Sequence, residues 1–396
     1  MKLAILSDFH LGYAPSFMGS ENDAFAQATD AMEKACERAD ALLVPGDIFD
    51  SRTPTLDVME QGIRLFSLAK EKKWGARVEG KEKAVPVIVI HGTHERRSQN
   101  FTNPVSVLES AGLVVDAHRG AVVLEKEGER VAVQGLGGVP EYLAKVAIEK
   151  IGYKPVGGAF NIFMFHQSLR ELLPDDEALS IEDLPPGFDL YVCGHLHERH
   201  VMKVGKTKLI IPGSTVLTQM KKDEEGAKGF YVYDTAARSE EFVPIGSRPF
   251  FYREVKLRGA SLAEARKACE EELRAVLVEC AAGKEAREQA KPIIRLKLTG
   301  TLAGGLSSEN LVAEVSEELR GKAFVIIVKD LEGKDGEKIA LIRDLREQKV
   351  SVKELGMKML VKRLAENGAK LKNVEELFDL LADPKGAENA FEKLKG

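Results

Sequence analysis

The feature of this 396-residue chain that most constrains its fold is a series of short apolar runs that end in acidic or imidazole side chains. Their length and their β-branched residues predict buried strands. Amphipathic stretches of helical period separate the earlier runs, whereas the later strands follow one another directly. This order predicts a layered α/β sandwich rather than a purely doubly wound sheet. The runs with polar ends are KLAILSDFH, ALLVPGD, VPVIVIHGTH, NIFMFH and LYVCGHLH.

Local signals add two helices, a loop and two further domains. Residues 22–39 carry apolar side chains on one helical face and predict the first helix. Thr53 and Pro54 predict a helix start, as N-cap and first-turn proline, with the helix ending near Lys73. The polar residues that follow, 74–84, predict an exposed loop. From about residue 248 the pattern predicts strand–helix–strand–helix–strand, with the helices over 261–283 and near 307–320. Beyond a charged linker it predicts only helices. The predicted domains are 1–247, 248–330 and 331–396.

Charge and cysteine usage limit the class of protein. With 62 acidic and 57 basic side chains the net charge is −5, so any nucleic-acid binding must use local basic patches. The four cysteines are scattered, which argues against a disulfide framework or a zinc ribbon and favours a reducing compartment. The sequence shows no signal-peptide core and no apolar run of about 18 residues, so we expect a cytoplasmic protein outside membranes.

The residues that close the strands predict a metal centre. A single histidine after a strand is most often structural, but five of the eight histidines in this chain close strands. Carboxyl ends of strands in open α/β sheets are where sites form. Imidazole with carboxylate suits Mn, Fe, Zn or Ni, and this many donors exceeds one tetrahedral zinc. We therefore expect two metals roughly 3.5–4 Å apart, an arrangement that favours phosphoester hydrolysis.

The motifs at these strand ends resemble the calcineurin-like metallophosphoesterases. The motifs are DFH at 8–10, GDIFD at 46–50, GTHE at 92–95, FH at 165–166 and GHLH at 194–197. More narrowly, SDFHLGY, GDIFDSRTP, PGS at 212–214, KGFY at 228–231 and RPF at 248–250 resemble the SbcD-type nuclease subunit of the DNA double-strand-break repair (meiotic recombination) complex. This resemblance implies a four-layer sandwich of two mixed sheets flanked by helices, with a small α/β DNA-binding cap and a helical C-terminal tail.

The resemblance also implies a role for each residue of the site. Two divalent metal ions per chain are expected, with manganese the expected metal. Asp47 would bridge them, and His94 would act as general acid toward the leaving oxygen. The remaining ligands would be Asp8, His10 and His197 for one metal and His166 and His195 for the other.

Thr93 is the one ligand position at which the chain departs from this family. Relatives usually carry an asparagine there, whose amide oxygen ligates the second metal. A threonine hydroxyl is shorter and a poorer neutral donor, so its bond to the metal would be weak or mediated by water. The predicted centre is therefore expected to bind its second metal less tightly than relatives with an asparagine at this position.

The partners implied are DNA, a second copy of the chain and an ATPase. The homodimer would form through helices at 54–73 and 104–111. The tail would dock on an SbcC-like zinc-hook coiled-coil ATPase, unless its apolar stripes pack on the chain's own domains. The expected DNA contacts, which are also compatible with ordinary solvated or packing roles, are Tyr13, Arg52, Arg96 and Arg97.

The predicted function is a two-metal DNA nuclease in break repair. It would act as an exonuclease on double-stranded ends and as an endonuclease on single strands. One alternative is a metallophosphodiesterase for small substrates, although the second unit and tail would then serve no purpose. The other is a DNA-end scaffold of weakened activity, in which Thr93 marks the loss of one metal.

Overall fold

The computed structural model describes residues 1–13, 22–71, 77–78, 81–82, 85–96, 101–173, 176–282, 291–303 and 317–332. Its first sheet is mixed, with the strand order β14-β13-β1-β2-β5-β6. Neighbours among β1, β2, β5 and β6 are parallel, and β13 is antiparallel to β1 and β14. The strands are β1 (Lys2–Ile5), β2 (Ala41–Pro45), β5 (Val87–Ile90), β6 (Val115–Asp116), β13 (Gly229–Asp234) and β14 (Ser239–Pro244).

The second sheet is also mixed, with the order β11-β12-β10-β9-β8-β7-β3-β4. Its central strands β8, β9, β10 and β12 run parallel, and antiparallel strands close both sides. The strands are β3 (Arg77–Val78), β4 (Lys81–Glu82), β7 (Val122–Lys126), β8 (Glu129–Leu136), β9 (Phe160–Phe165), β10 (Leu190–Cys193), β11 (His200–Val204) and β12 (Thr207–Ile211).

Three further strands and six helices complete the described elements. Strands β15 (Phe250–Ala260), β16 (Ile293–Leu302) and β17 (Phe324–Glu332) form a third sheet in that order. The helices are α1 (Asp23–Arg38), α2 (Leu56–Glu71), α3 (Pro104–Ser110), α4 (Glu141–Ile151), α5 (Leu262–Ala282) and α6 (Glu317–Lys322).

Three apolar layers explain how the first two sheets stack. Side chains such as Ile5, Ile88 and Met164 fill the space between the sheets. Helices α1 to α3 cover the other face of the first sheet, and α4 covers the other face of the second. Strands buried on both faces read as continuous apolar runs, as the sequence does. The predicted α/β sandwich with two mixed sheets is confirmed.

Two local predictions were wrong. Helix α2 begins at Leu56, not at Pro54, because Thr55 is the N-cap and its hydroxyl accepts from the Val58 amide at 3.4 Å. The predicted loop 74–84 contains two short strands, and β3 pairs with β7. The free edge of β7 offers unpaired backbone groups that even a polar segment can satisfy, so composition alone misleads there.

The C-terminal predictions are only partly covered by the described residues. Helix α6 lies at the end of the helix predicted near 307–320, and residues 304–316 lie outside the described ranges. The predicted tail, apart from the end of β17, also lies outside the described ranges. Within the described ranges, one compact unit holds 1–253, 270–296 and 317–326, and a second holds 254–269, 297–303 and 327–332. The predicted domain boundaries stay predictions.

Among the described residues, every helix is too short or too polar to cross a bilayer.

Candidate metal centre

Four strand-end residues of the candidate site share a left-handed backbone conformation. Such a conformation costs a non-glycine residue about 1–3 kcal/mol and persists only where the surroundings hold it. Backbone hydrogen bonds do so here: the Asp8 amide donates to the Gly46 carbonyl at 3.2 Å, and the His10 amide donates to the Asp47 carbonyl at 3.0 Å. The four residues, with their φ angles, are Asp8 (54°), His10 (46°), Asp47 (48°) and His195 (76°).

Glycines of the motifs allow the strand ends to approach one another. A Cβ added to Gly92 would lie 2.0 Å from Oδ1 of Asp47, and one added to Gly194 would lie 2.1 Å from the Pro45 carbonyl oxygen. Any larger residue would displace backbone or a site carboxylate. The glycine in GTHE and in GHLH is therefore required by close packing at the site.

Asp8, His10 and His197 form the first donor group. Their candidate ligand atoms lie within 4.8 Å of one another. The two Nε2 atoms are 3.1 Å apart, and each lies 3.9 Å from Oδ1 of Asp8. An ionised carboxylate only accepts, so Nδ1 of His10, 3.2 Å from Asp50 Oδ1, carries the hydrogen. Nε2 of a neutral His10 ring then presents a lone pair toward the other donors, which suits a cation.

Asp47, His166 and His195 form the second group, by the same 4.8 Å criterion. Nδ1 of His166 donates to the Pro45 carbonyl at 2.6 Å, which leaves Nε2 directed at Asp47 Oδ2, 3.1 Å away. This buried Nε2 makes no hydrogen bond among the described residues. Asp47 also belongs to a third group, with His10 and His94. The donor sets thus share Asp47 and His10, and their chemistry fits divalent metals.

Burial and mutual charge shift the pKa values of these groups. Burial raises the pKa of Asp8 to about 6 and lowers that of His195 to about 4. Burial also opposes the charged form of His166, but the Asp47 and Asp8 carboxylates raise its pKa to about 10. Despite its own burial, Asp47 has a pKa well below its usual range, because His166 lies beside it. Perturbed groups gathered at one point mark a functional site.

His94 stands at the exposed side of this cluster. Its amide donates to Asp47 Oδ1 at 2.9 Å, and its Nδ1 lies 3.0 Å from the Asp50 carbonyl oxygen and 3.4 Å from Asp50 Oδ1. Its side chain is 44% exposed. With Nδ1 occupied, Nε2 is the nitrogen that faces a bound molecule. The sequence alone assigns Asp50 no role, and its position as the last residue of GDIFD is the only local signal for this contact.

The chain is similar to known proteins in its family and in its fold. The profile of the calcineurin-like phosphoesterases matches residues 1–199, half of the chain. The chain belongs to this family. The predicted metallophosphoesterase fold is thereby confirmed, and membership in this phosphoesterase family implies divalent-metal binding.

Within the family, the chain is similar to proteins of break repair. It is 30% identical to the double-strand break repair protein MRE11 of Encephalitozoon cuniculi, over 59% of this chain and 45% of that protein. The corresponding Mre11 of Methanopyrus kandleri is 30% identical over 62% and 57%, and that of Methanococcus maripaludis is 25% identical over 59% and 63%. The chain thus spans about half of these relatives' length. The similarities confirm the predicted resemblance to this branch of the calcineurin-like phosphoesterases.

Two neighbours of His94 in the GTHE motif differ in burial and role. Thr93 donates its hydroxyl to Asp47 Oδ2 at 3.4 Å. Glu95 is buried and accepts from the Gly92 amide at 2.6 Å and from the Phe49 amide at 2.7 Å. Burial raises the pKa of Glu95 to about 7. Glu95 therefore joins the loops after β2 and β5, a role that the sequence alone does not predict.

The described candidate DNA-contact residues differ in their exposure. Arg52 is exposed and Arg96 is half-buried. The Tyr13 hydroxyl donates to the Thr218 carbonyl at 2.6 Å, so only its ring remains for contact with another molecule. Arg97 lies outside the described residues.

Proposed function

We propose that this chain is a two-metal DNA nuclease that processes double-strand breaks. The observation that carries the proposal is the meeting of three overlapping donor groups, linked by Asp47 and His10, where the two sheets deliver their strand ends. Family membership supports phosphoester chemistry. The names of the relatives support DNA in break repair as the substrate.

The chain's donors divide between two metal ions, for which we propose manganese. Asp8, His10 and His197 would hold one ion, and Asp47 would bridge to the other. His166 and His195 would hold the second ion, together with Thr93 if its hydroxyl reaches it. When bound, such ions supply an activated water and neutralise charge on the phosphate. The left-handed loops and the motif glycines keep the donors in place before substrate arrives.

His94 supplies the proton for the leaving oxygen. Asp50 accepts from Nδ1, which orients the ring so that Nε2 faces the substrate. Nε2–H then donates to the oxygen of the broken P–O bond and leaves a neutral ring. Exposure of this side chain lets it reach a substrate that the buried ligands cannot touch directly.

The finer parts of the proposal rest on the resemblance. The substrates are double-stranded ends, cut exonucleolytically, and single strands, cut endonucleolytically, with an SbcC-like ATPase on the tail at 331–396 and a cap at 248–330. Arg52, Arg96, Arg97 and the Tyr13 ring would contact DNA. Exposed Leu56 and Ile63 on α2 and Val107 on α3 support a homodimer through these helices. We propose a cytoplasmic place of action.

The test is manganese-dependent cleavage of linear and single-stranded DNA by the full chain and by His94→Gln. We expect the substitution to lower cleavage by about 10²–10⁴-fold, as for loss of a general acid, with unchanged manganese content. His200→Gln is the matched control, because His200 pairs with Glu198 outside the donor groups. Metal-loaded protein that cuts no form of DNA would falsify the proposal.

The same assay separates the alternatives. Turnover of a chromogenic phosphodiester without cleavage of any DNA would favour a small substrate. One manganese ion or none per chain, with binding to DNA ends retained, would favour the scaffold.

A further inference from the structure

Two motifs, PGS at 212–214 and KGFY at 228–231, have no role in the site described so far. In the structure the two motifs contact each other and the backbone carbonyl of His197. Lys228 is buried, and its Nζ donates to Ser214 Oγ at 2.9 Å and to the His197 carbonyl at 3.4 Å. The Ser214 amide donates to the same carbonyl at 3.2 Å. Both motifs therefore hold the backbone of a candidate metal ligand.

Glu224 connects Lys228 to the next loop. Its buried carboxylate lies 3.5 Å from the Lys228 ammonium. It also accepts from the amides of Thr218 at 3.2 Å and Gln219 at 2.8 Å. A buried carboxylate satisfied in this way fixes the backbone that donates to it. The position of Thr218 thus depends on Glu224.

Thr218 reaches the ring of His197 itself. Its Oγ1 lies 2.6 Å from Nδ1 of His197, on the opposite side of the ring from Nε2, which faces His10 and Asp8. Nε2 can offer its lone pair to a metal only if Nδ1 carries the hydrogen. When Nε2 binds a metal, the Thr218 hydroxyl oxygen accepts the hydrogen at Nδ1 and fixes the orientation of the ring.

The other side of the same loop is held by β16 and by the start of β15. Arg295 donates to the Met220 carbonyl at 2.7 Å. Met220 packs with Leu217, Phe250 and Ile293 in one apolar cluster. Glu224 and Arg295 thus hold the loop that carries Thr218 at both of its ends.

We propose that Thr218 is a positioning residue for His197, and that the Glu224–Lys228 pair holds the loop that carries it. The inference rests on the proposed function, in that it takes Asp8, His10 and His197 to bind a metal. Loss of an outer partner of a ligating histidine lowers metal affinity by about 10–100-fold. Thr218 itself touches no reacting atom and acts through the ring of His197.

The experiment measures Mn²⁺ binding to the full chain by titration calorimetry, without substrate. Thr218→Val keeps the shape of the side chain and removes the hydroxyl. We expect it to lower the affinity for one of the two Mn²⁺ ions by about 10–100-fold. Thr218→Ser restores the hydroxyl, and its Kd for Mn²⁺ should lie within about threefold of the wild-type Kd. A threefold change is less than half of the free-energy change that a tenfold change in Kd represents. Thr215→Val is the matched control, because Thr215 is buried in the same loop and its hydroxyl makes no hydrogen bond among the described residues.

Wild-type affinity in Thr218→Val, or equal loss in Thr218→Ser, would overturn the inference. A wild-type chain that binds two Mn²⁺ ions but cuts no DNA would contradict the proposed nuclease function, and the positioning role of Thr218 would not be affected. A wild-type chain that binds no Mn²⁺ would overturn both. Should Thr218→Val fail to fold by circular dichroism, Thr218→Ala replaces it against Thr218→Ser, with the same two outcomes.

Discussion

Asp47 and Asp50 lie three residues apart on one loop, yet they belong to different environments. The Asp47 side chain is 2% exposed, and the Asp50 side chain is 32% exposed. Asp47 faces His166, which is fully buried, whereas Asp50 contacts His94, which is 44% exposed. The same loop thus delivers one carboxylate to the buried donor set, in which Asp8, His10, Asp47 and His166 are buried and His195 and His197 half-buried. It delivers the other to the exposed rim, in which Arg52 and His94 are exposed and Asp50 and Arg96 half-buried.

The difference indicates how the two groups of residues divide the work. Removing charged or ligating groups from water costs several kcal/mol each, and close counter-charges or metals must offset that cost. The buried donor set carries this cost together with four strained backbone positions. The exposed rim carries little of either, and exposed charges contribute about 0–1 kcal/mol. We therefore expect metal binding and folding stability to be most sensitive to substitutions in the buried donor set.

Asp47→Ala tests the buried set at its centre. Asp47 lies in two of the three donor groups, so its loss should weaken both metal ions. Loss of several kcal/mol of metal-dependent stabilisation corresponds to a fall in DNA cleavage of more than about 10³-fold. Cleavage rate and manganese content per chain are the measurements. Asp57→Ala, an exposed aspartate at the start of α2, is the control. Retention of two tightly bound ions would show that Asp47 is not shared between them.

Thr93→Asn tests the boundary between the two regions. The Thr93 hydroxyl donates to Asp47 at 3.4 Å, a long hydrogen bond that an amide oxygen on a longer side chain would replace with a metal bond. We expect the second Mn²⁺ to bind about tenfold more tightly, a gain of about 1.4 kcal/mol. Two-site Mn²⁺ titrations measure the gain, and Thr93→Val gives the reference without a hydroxyl. Equal affinity in all three proteins would remove position 93 from the ligand set.

Arg96→Ala tests the exposed rim and should have the smallest effect. If Arg96 contacts a phosphate, its loss should weaken DNA binding similarly for all sequences and reduce the slope of log K against log salt by about 1. Binding of DNA at several salt concentrations measures the slope, with manganese content unchanged. Arg130→Ala, an exposed arginine at the start of β8, is the control. A slope equal to that of the wild type would assign Arg96 to another role.

The layered fold and its strands were predictable because their causes are local. Continuous apolar runs such as that of β5 can only be buried, and the amphipathic period of α1 predicts a helix close to Asp23–Arg38. The start of α2 and the pairing of β3 were not predictable in this way. The first depends on which of two threonines caps the helix, and the second depends on the edge of a strand more than forty residues away.

By itself, the sequence determined which chemistry is available, because the length of each strand and the polar residues at its end follow from consecutive residues. It placed carboxylates and imidazoles at the ends of apolar runs, from Asp8 to His197. Only the tertiary structure decided which of them meet and what holds them. The His195 amide lies 3.2 Å from Asp8 across 187 residues of chain, Glu95 joins two loops, and Thr218 faces His197. Those contacts come from the packing of two sheets against each other, and no local pattern records that packing.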